Sequence, residues 1–438
     1  MTKSTKTIIS LSPKQRAEIL ASIKKLVLKH HINVGSVSYD AWTRLVDQRA
    51  SELLAAETDK FESGVRQLLS ELGSSHTVFY HEHGKRVLPQ HSINATLRSF
   101  SLAGNDRWIF LDVFEDGPAQ VAGIKPGEML LAVDGTLYVP PSLPPFNIGQ
   151  TYRLKAGDVR GENPRDVVIS VPNRRGTKQR PPIVEPKSLS HRTIAPGVGL
   201  LKIVYFPGAM GLRFAKELDT AITDLKQHGI SHLIVDLRGN IGGGLGLARL
   251  ASYMTSGQMS IGYSLTPRRL RTGYKREDLP PVPMPRSRTE LLLTLARFAF
   301  RDKSVVLLTQ GLGPQPFHNH IVILVNEWTN SAAEMVAGFA AENRLATIVG
   351  NKTAGNVLGA ANFEVGSGYW LRLPVFGWYT SQGNCLEGKG VSPDVVVEVD
   401  PYLLNAGIDQ QMDEAIKILS GTDSSRRTPA HGTGGNKP

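Results

Sequence analysis

Two nearly uninterrupted apolar runs, at residues 232–237 and 321–325, constrain this chain most. A strand with one face in water alternates apolar and polar side chains. A run that is apolar at nearly every position must be covered on both faces, as in a parallel sheet between helices. Around these runs the pattern alternates. Residues 197–205 read as a strand and 210–227 as a helix, and a helix over 331–342 follows the second run. Residues 345–349 read as a further strand and 408–419 as the last helix. Strands alternating with helices predict an α/β core over residues 197–420.

Upstream the pattern changes twice. Ser12, Pro13 and Gln15 supply an N-cap, a proline at the first helical position and a reciprocal cap at N3. Ile19, Leu20, Ile23, Leu26 and Val27 then mark one helical face. A second helix is predicted over 39–56. A third carries Phe61, Val65, Leu68, Leu69 and Leu72, closed by Gly73. Residues 1–86 therefore read as a helical region. Residues 87–175 read as a β domain, with strand-like runs such as 108–114 between turn residues. Residues 176–196 read as a polar linker and 421–438 as a disordered tail rich in Ser, Thr, Gly and Pro.

The formal charge is +11 over 438 residues, and part of it is concentrated at 266–288. There Arg268, Arg269, Arg271, Lys275, Arg276, Arg286 and Arg288 stand with prolines that include Pro280, Pro281, Pro283 and Pro285. This stretch reads as a solvated, flexible basic insertion in the core, with a docking surface for an acidic partner as the alternative. Nucleic acid is not expected, because no aromatic-and-basic motif accompanies the charge. The single cysteine, Cys385, excludes an internal disulfide and reads as packing. Neither an export signal nor an apolar run of membrane-spanning length is visible, so a cytoplasmic protein without membrane contact is the expectation. His81, Glu82 and His83 are too few for a metal site and read as surface residues. No metal and no cofactor is expected.

The chemistry concentrates in two turns. The run 321–325 leads through Asn326, Glu327, Trp328, Thr329 and Asn330 to Ser331, Ala332, Ala333 and Glu334. A strand-to-helix turn of this kind exposes a hydroxyl at a helix N-terminus, where free amides can hold an oxyanion. Read alone, a serine that starts a helix is usually just an N-cap. The run 232–237 leads into Arg238, Gly239, Asn240, Ile241, Gly242, Gly243 and Gly244. Glycines there let the backbone approach a ligand, and their spacing does not fit a dinucleotide fingerprint; nor do Gly350, Asn351, Lys352 and Thr353 form a P-loop, since no glycine directly precedes Lys352.

Taken in order, Asp236-Leu237-Arg238-Gly239-Asn240-Ile241-Gly242-Gly243-Gly244, Ser331-Ala332-Ala333-Glu334, Val349-Gly350-Asn351-Lys352-Thr353-Ala354-Gly355 and Glu387-Gly388-Lys389-Gly390-Val391-Ser392-Pro393-Asp394 resemble the motifs of the tail-specific (C-terminal processing) serine peptidases. Gly117-Pro118-Ala119-Gln120-Val121-Ala122-Gly123 and its continuation to Gly127-Glu128 resemble the PDZ domains of such proteases, with Glu128 in place of the usual Asp. The resemblance implies a ClpP/crotonase-like α/β catalytic core with an N-terminal helical region and a PDZ-like β domain. It also implies cleavage of peptide bonds in polypeptide substrates, near C-termini that the PDZ-like domain binds. A homo-oligomer stays open.

One departure redirects the resemblance. Where the bacterial and chloroplast branch places a lysine base after Thr-x-Gly, this chain has Asn356. A neutral amide cannot take a serine proton, and Lys352 stands four residues too early. Leu72-Gly73-Ser74-Ser75-His76 resembles instead the Leu-Gly-x-Ser-His motif of the tricorn core branch, and Glu387 matches that branch's glutamate. The resemblance thus implies a tetrad of Ser331 as nucleophile, His76 as base, and Ser75 and Glu387 orienting it. Amides of Gly242 or Gly243 and of Ala332 would form the oxyanion hole. The competing readings are a non-catalytic ligand binder on the same fold and a PDZ-centred adaptor.

Overall fold

The computed structural model describes residues 10–421, apart from residues 35–36, 83–85, 103, 174–182, 286, 288, 291, 295, 297–302, 313–316 and 318–320. The sequence readings for the tail beyond Gly421, for His83, for Arg286 and Arg288 and for the first half of the linker lie outside the described residues.

The two apolar runs are the centre of a six-stranded sheet. Its order is Val395–Val396, Thr347–Gly350, Ile321–Val325, His232–Asp236, Val198–Ile203 and Leu189–Ala195. All neighbours run parallel except the last pair. Alternate side chains of each strand enter different cores. Leu201, Ile203, Leu233, Val235, Ile323 and Val325 pack with the helices Leu212–Gln227, Gly246–Ser252 and Ala332–Glu342. Leu200, Ile234, Val322 and Leu324 face Ala415 of the helix Gln410–Leu419. Each such side chain contributes roughly 1.5–3 kcal/mol by leaving water. The predicted α/β core is thus present, covered on both faces.

Part of the predicted linker is a strand instead. Leu189–Ala195 pairs antiparallel with Val198–Ile203 and closes the sheet edge. Its alternation is weak because an edge strand is held by main-chain hydrogen bonds and presents polar side chains to water. The basic insertion is likewise more ordered than its composition predicts. It holds a helix Pro267–Thr272, a 3-10 turn Arg276–Asp278 and a strand Pro281–Pro283. Leu279, Val282 and Met284 are buried, and Arg276 lies over the Tyr263 ring and donates to the Ser381 carbonyl. Proline suits this strand because it lies at the sheet's edge.

A second sheet joins the two ends of the chain. Tyr369–Thr380 pairs antiparallel with Val78–His81, Gly359–Gly366 and Ser260–Leu265. Leu371, Leu373, Tyr369 and Phe79 on one face pack against Ile19, Ile23, Trp42 and Phe61 of the helices Pro13–His30, Tyr39–Ala55 and Thr58–Ser70. The capping box at Ser12 and Gln15 is formed as predicted. Residues 95–170 build a separate antiparallel sheet in the order Ala95–Leu102, Asn105–Val113, Met129–Val133, Thr151–Gly157 and Arg165–Ser170, with a short helix Pro118–Val121 beside it.

Candidate active site

Ser331 stands between the strand Ile321–Val325 and the helix Ala332–Glu342, in a backbone conformation of φ 53° and ψ −114°. An N-cap residue normally takes the extended region. A non-glycine residue held at this φ is strained by about 1–3 kcal/mol, which capping alone does not call for. The turn is over-determined around it. The Thr329 hydroxyl accepts from the Asn326 N–H and donates to the Leu237 carbonyl, and the Asn330 N–H donates to the Asn240 carbonyl. The Glu334 carboxylate accepts from the N–H groups of Ser331, Gly355 and Asn356 and from the Thr353 hydroxyl. Burial raises the Glu334 pKa, and those four hydrogen bonds oppose the rise.

The glycine loop lies directly on this turn. A Cβ on Gly242 would come 2.7 Å from Ser331 Cβ and 3.3 Å from the Ala332 nitrogen, and Gly242 has φ +81°. The loop is tied at its base by charge. Asp236 pairs with Lys202 and Arg238, and Arg238 reaches Asp409. Burial alone would raise the Asp236 pKa, but Arg238 and Lys202 hold it well below the usual carboxylate range. Asn240 donates to the Ile203 carbonyl and accepts the Gly242 N–H at 2.7 Å. The Gly242 amide is therefore committed within the loop. Among the described residues the N–H groups of Gly243 and Ala332 have no acceptor.

Residues 75, 76 and 387 form a second cluster. Glu387 Oε1 accepts the Ser75 N–H at 2.8 Å, and Oε2 accepts the Ser75 hydroxyl at 3.0 Å and the Val357 N–H at 2.9 Å. Ser75 Oγ lies 2.8 Å from His76 Nδ1. A carboxylate only accepts, so the single hydroxyl hydrogen of Ser75 goes to Glu387. Ser75 can then only accept from His76. This places the imidazole hydrogen on Nδ1 and leaves Nε2 with its lone pair. Burial, helped by Arg372, lowers the His76 pKa to about 4, so the ring is neutral at pH 7. His76 also holds a positive φ, 62°.

Ser75, His76 and Glu387 thus come together as one hydrogen-bonded group, and Gly242, Ser331 and Ala332 as another. No hydrogen bond joins His76 to Ser331 among the described residues. The groups meet through residues 355–357, where Val357 binds Glu387 and its neighbour Asn356 binds Glu334. Asn356 Nδ2 donates to Asn330 Oδ1, and Lys352 is exposed. Burial raises the Cys385 thiol above its ordinary value, consistent with packing.

Sequence reasoning missed Gln90, Asn326 and Arg372. Gln90 donates to the Gly239 carbonyl, and Asn326 accepts the Gly239 N–H while donating to Asp112 of the middle sheet. Asn326, at the end of a buried strand, had a readable position; Gln90 and Arg372 carried no local signal.

A serine on a strand-to-helix turn, a glycine loop against it and a neutral histidine with a fixed tautomer are the parts of a serine hydrolase on an α/β core. The profile of peptidase family S41 matches residues 197–397. The carboxyl-terminal-processing protease of Synechocystis is 26% identical over 69% of this chain and 63% of its own length. The carboxy-terminal processing protease CtpA of Bacillus subtilis is 22% identical over 84% of this chain and 71% of its own. The chain thus spans somewhat under two thirds of the cyanobacterial relative. Among solved structures, the photosystem II D1 C-terminal processing protease superposes with a TM-score of 0.52 at 17% identity, over 96% of this chain and 98% of that one. Mature CPAF superposes with 0.55 at 16% identity, over 95% and 99%. These likenesses establish the shared fold.

Proposed function

We propose that the chain is a serine peptidase that hydrolyses peptide bonds in polypeptides, near their C-termini. Ser331 Oγ attacks the scissile carbonyl, and His76 Nε2 takes its proton and later passes it to the leaving amine. Ser75 and Glu387 are positioning residues. They keep the Nδ1 hydrogen in place and stabilise the imidazolium that forms. The amides of Gly243 and Ala332 hold the oxyanion, since that of Gly242 is already used. The hydrogen bond between His76 and Ser331 forms when substrate closes the cleft, as such bonds commonly tighten only in the bound complex.

The observation that carries this reading is the Glu387–Ser75–His76 relay, because it leaves one imidazole nitrogen bare in a ring that is neutral at pH 7. Asn356 offers no base in its place. The test is labelling with a serine-reactive fluorophosphonate, run beside Ser331→Ala, His76→Ala and Asn356→Lys. Labelling should vanish in Ser331→Ala and fall steeply in His76→Ala. Labelling of Asn356→Lys alone would mean that the base is misassigned. The middle sheet, read as a PDZ-like domain, is proposed to take the substrate's C-terminal segment by strand addition.

A further inference from the structure

The strand Tyr369–Thr380 carries a guanidinium, that of Arg372, with no counter-ion among the described residues. Arg372 lies opposite Val78 on one side and Asn362 on the other. Leu371 and Leu373, its neighbours in sequence, point into the helical core, so Arg372 points to the opposite face. That face is the one beside the site. The chain reaches His76 two residues before Val78, and Val357, which binds Glu387, comes two residues before the strand Gly359–Gly366.

Arg372 is half-buried, and its guanidinium makes no hydrogen bond or ion pair with any described residue, although the Tyr80 phenol lies near enough to interact with its charge. Several other guanidiniums removed from water are paired. Arg238 binds Asp236 and Asp409, Arg249 binds Asp219, and Arg16 binds two main-chain carbonyls. Burial lowers the Arg372 pKa, the sign of a cation that lacks compensation. Its charge reaches both His76 and His91. His91 is equally unusual, with a buried Nδ1 that has no hydrogen-bond partner among the described residues. It sits beside Gln90, whose amide holds the glycine loop. A lone cation and a neutral imidazole next to the proposed base are suited to an anion that arrives with the substrate. Leaving a charge unpaired costs stability that a ligand can return as affinity.

We propose that Arg372, with His91 beside it, is the receptor for a carboxylate of the bound polypeptide, and so determines which peptides the site accepts. This rests on the peptidase reading above. A peptide offers such a carboxylate in two ways, at its free C-terminus or on an Asp or Glu side chain. Either would form charge-assisted hydrogen bonds with the guanidinium.

The test measures binding in the full chain with Ser331→Ala, so that hydrolysis does not intervene. Three fluorescein-labelled unstructured peptides of one sequence are compared by anisotropy: a free acid, its carboxamide, and the carboxamide with one internal Glu. If the terminus is the ligand, the acid binds about 10- to 100-fold tighter than the amide, the range of a charged hydrogen bond. If a side chain is the ligand, the Glu peptide gains instead. In both cases adding Arg372→Gln removes the preference and Arg372→Lys keeps part of it. Thermal melting of both variants checks folding. No carboxylate preference, or one that persists in Arg372→Gln (as it would if the middle sheet alone captured the terminus), overturns the proposal. Fluorophosphonate labelling of the wild type reports separately on the peptidase reading. A carboxylate preference without labelling would sink that reading and leave the anion site standing.

Discussion

Glu387 takes both polar hydrogens of Ser75, the main-chain N–H at 2.8 Å and the hydroxyl at 3.0 Å, across 312 residues of sequence. Because the acceptor is a carboxylate, the direction of the relay cannot reverse. Glu387→Gln removes that constraint. A carboxamide can donate to Ser75 Oγ, which then donates to His76 Nδ1 and moves the ring hydrogen to Nε2. The amide oxygen can still accept the Ser75 N–H, but the amide nitrogen then faces the Val357 N–H, whose hydrogen bond is lost, so melting temperature is measured beside activity. The expected result is a fall in kcat approaching about 10,000-fold, the size seen when a triad histidine is held in the wrong tautomer. Ser75→Ala should fall less, because the ring then loses orientation but is not forced into the wrong form. Single-turnover labelling rates for the two variants check the order.

Gly242 and Gly243 are adjacent, yet a methyl group at each should fail differently. At Gly242 it meets Ser331 Cβ at 2.7 Å, so Gly242→Ala pushes the nucleophile and should slow fluorophosphonate labelling by about 100-fold or more. At Gly243 it meets the Phe206 carbonyl oxygen, at a φ of +139°. No side chain there can yield, and strain alone contributes about 1–3 kcal/mol. Gly243→Ala should therefore lower the melting temperature more than Gly242→Ala does. Equal losses of stability would mean that the loop moves as one body.

How much of this was legible in the sequence depends on the range of the signal. The central sheet was readable because full burial leaves an apolar run with no alternation, as at Ile323 and Leu324. Ser331 and the glycine loop were readable because each follows such a run within a few residues. The second sheet was not, although its longest strand alternates around Arg372, because Pro374 and Gly377 inside that strand break a strand pattern. With it went the reason that residues 75 and 76 lie beside Glu387, which is pairing between chain ends. Only motif resemblance linked them. The edge strand Leu189–Ala195 was hidden by its polar side chains, and the insertion's buried Leu279, Val282 and Met284 by the arginines around them.

Three histidines make the fold sensitive to mild acid. Burial lowers the pKa of His31, His76 and His91 to about 4, with Arg372 adding to the effect at the last two. Each is more acidic folded than unfolded, where the value is near 6.5. Above pH 6.5 both states hold these rings neutral and the native state is favoured in full. As pH falls towards 4 the unfolded chain binds protons that the folded chain refuses, so stability drops, by up to about 1.4 kcal/mol per pH unit for each ring. Melting temperatures between pH 7 and 4.5 should decline steadily. His91→Gln should flatten the decline, and an unchanged slope in that variant would remove His91 from the account.

The same charge that waits for a carboxylate also holds the proposed base back. Arg372 disfavours the His76 imidazolium, yet catalysis must form that cation as Ser331 attacks. A bound carboxylate would neutralise the guanidinium and ease proton transfer only when substrate is present. An uncharged fluorophosphonate brings no carboxylate, so its reaction reports the ring under the unscreened charge. His76 must be neutral to react, so labelling is lost as pH falls through its pKa. Arg372→Gln removes the repulsion, the pKa rises, and the acidic limb of the labelling rate moves to higher pH. The shift should be partial, since burial is the larger cause and stays in place. Adding a free-acid peptide product to the wild type should move the limb in the same direction, and should have no such effect on Arg372→Gln. A limb that stays put in Arg372→Gln would show that the guanidinium does not reach His76 in solution.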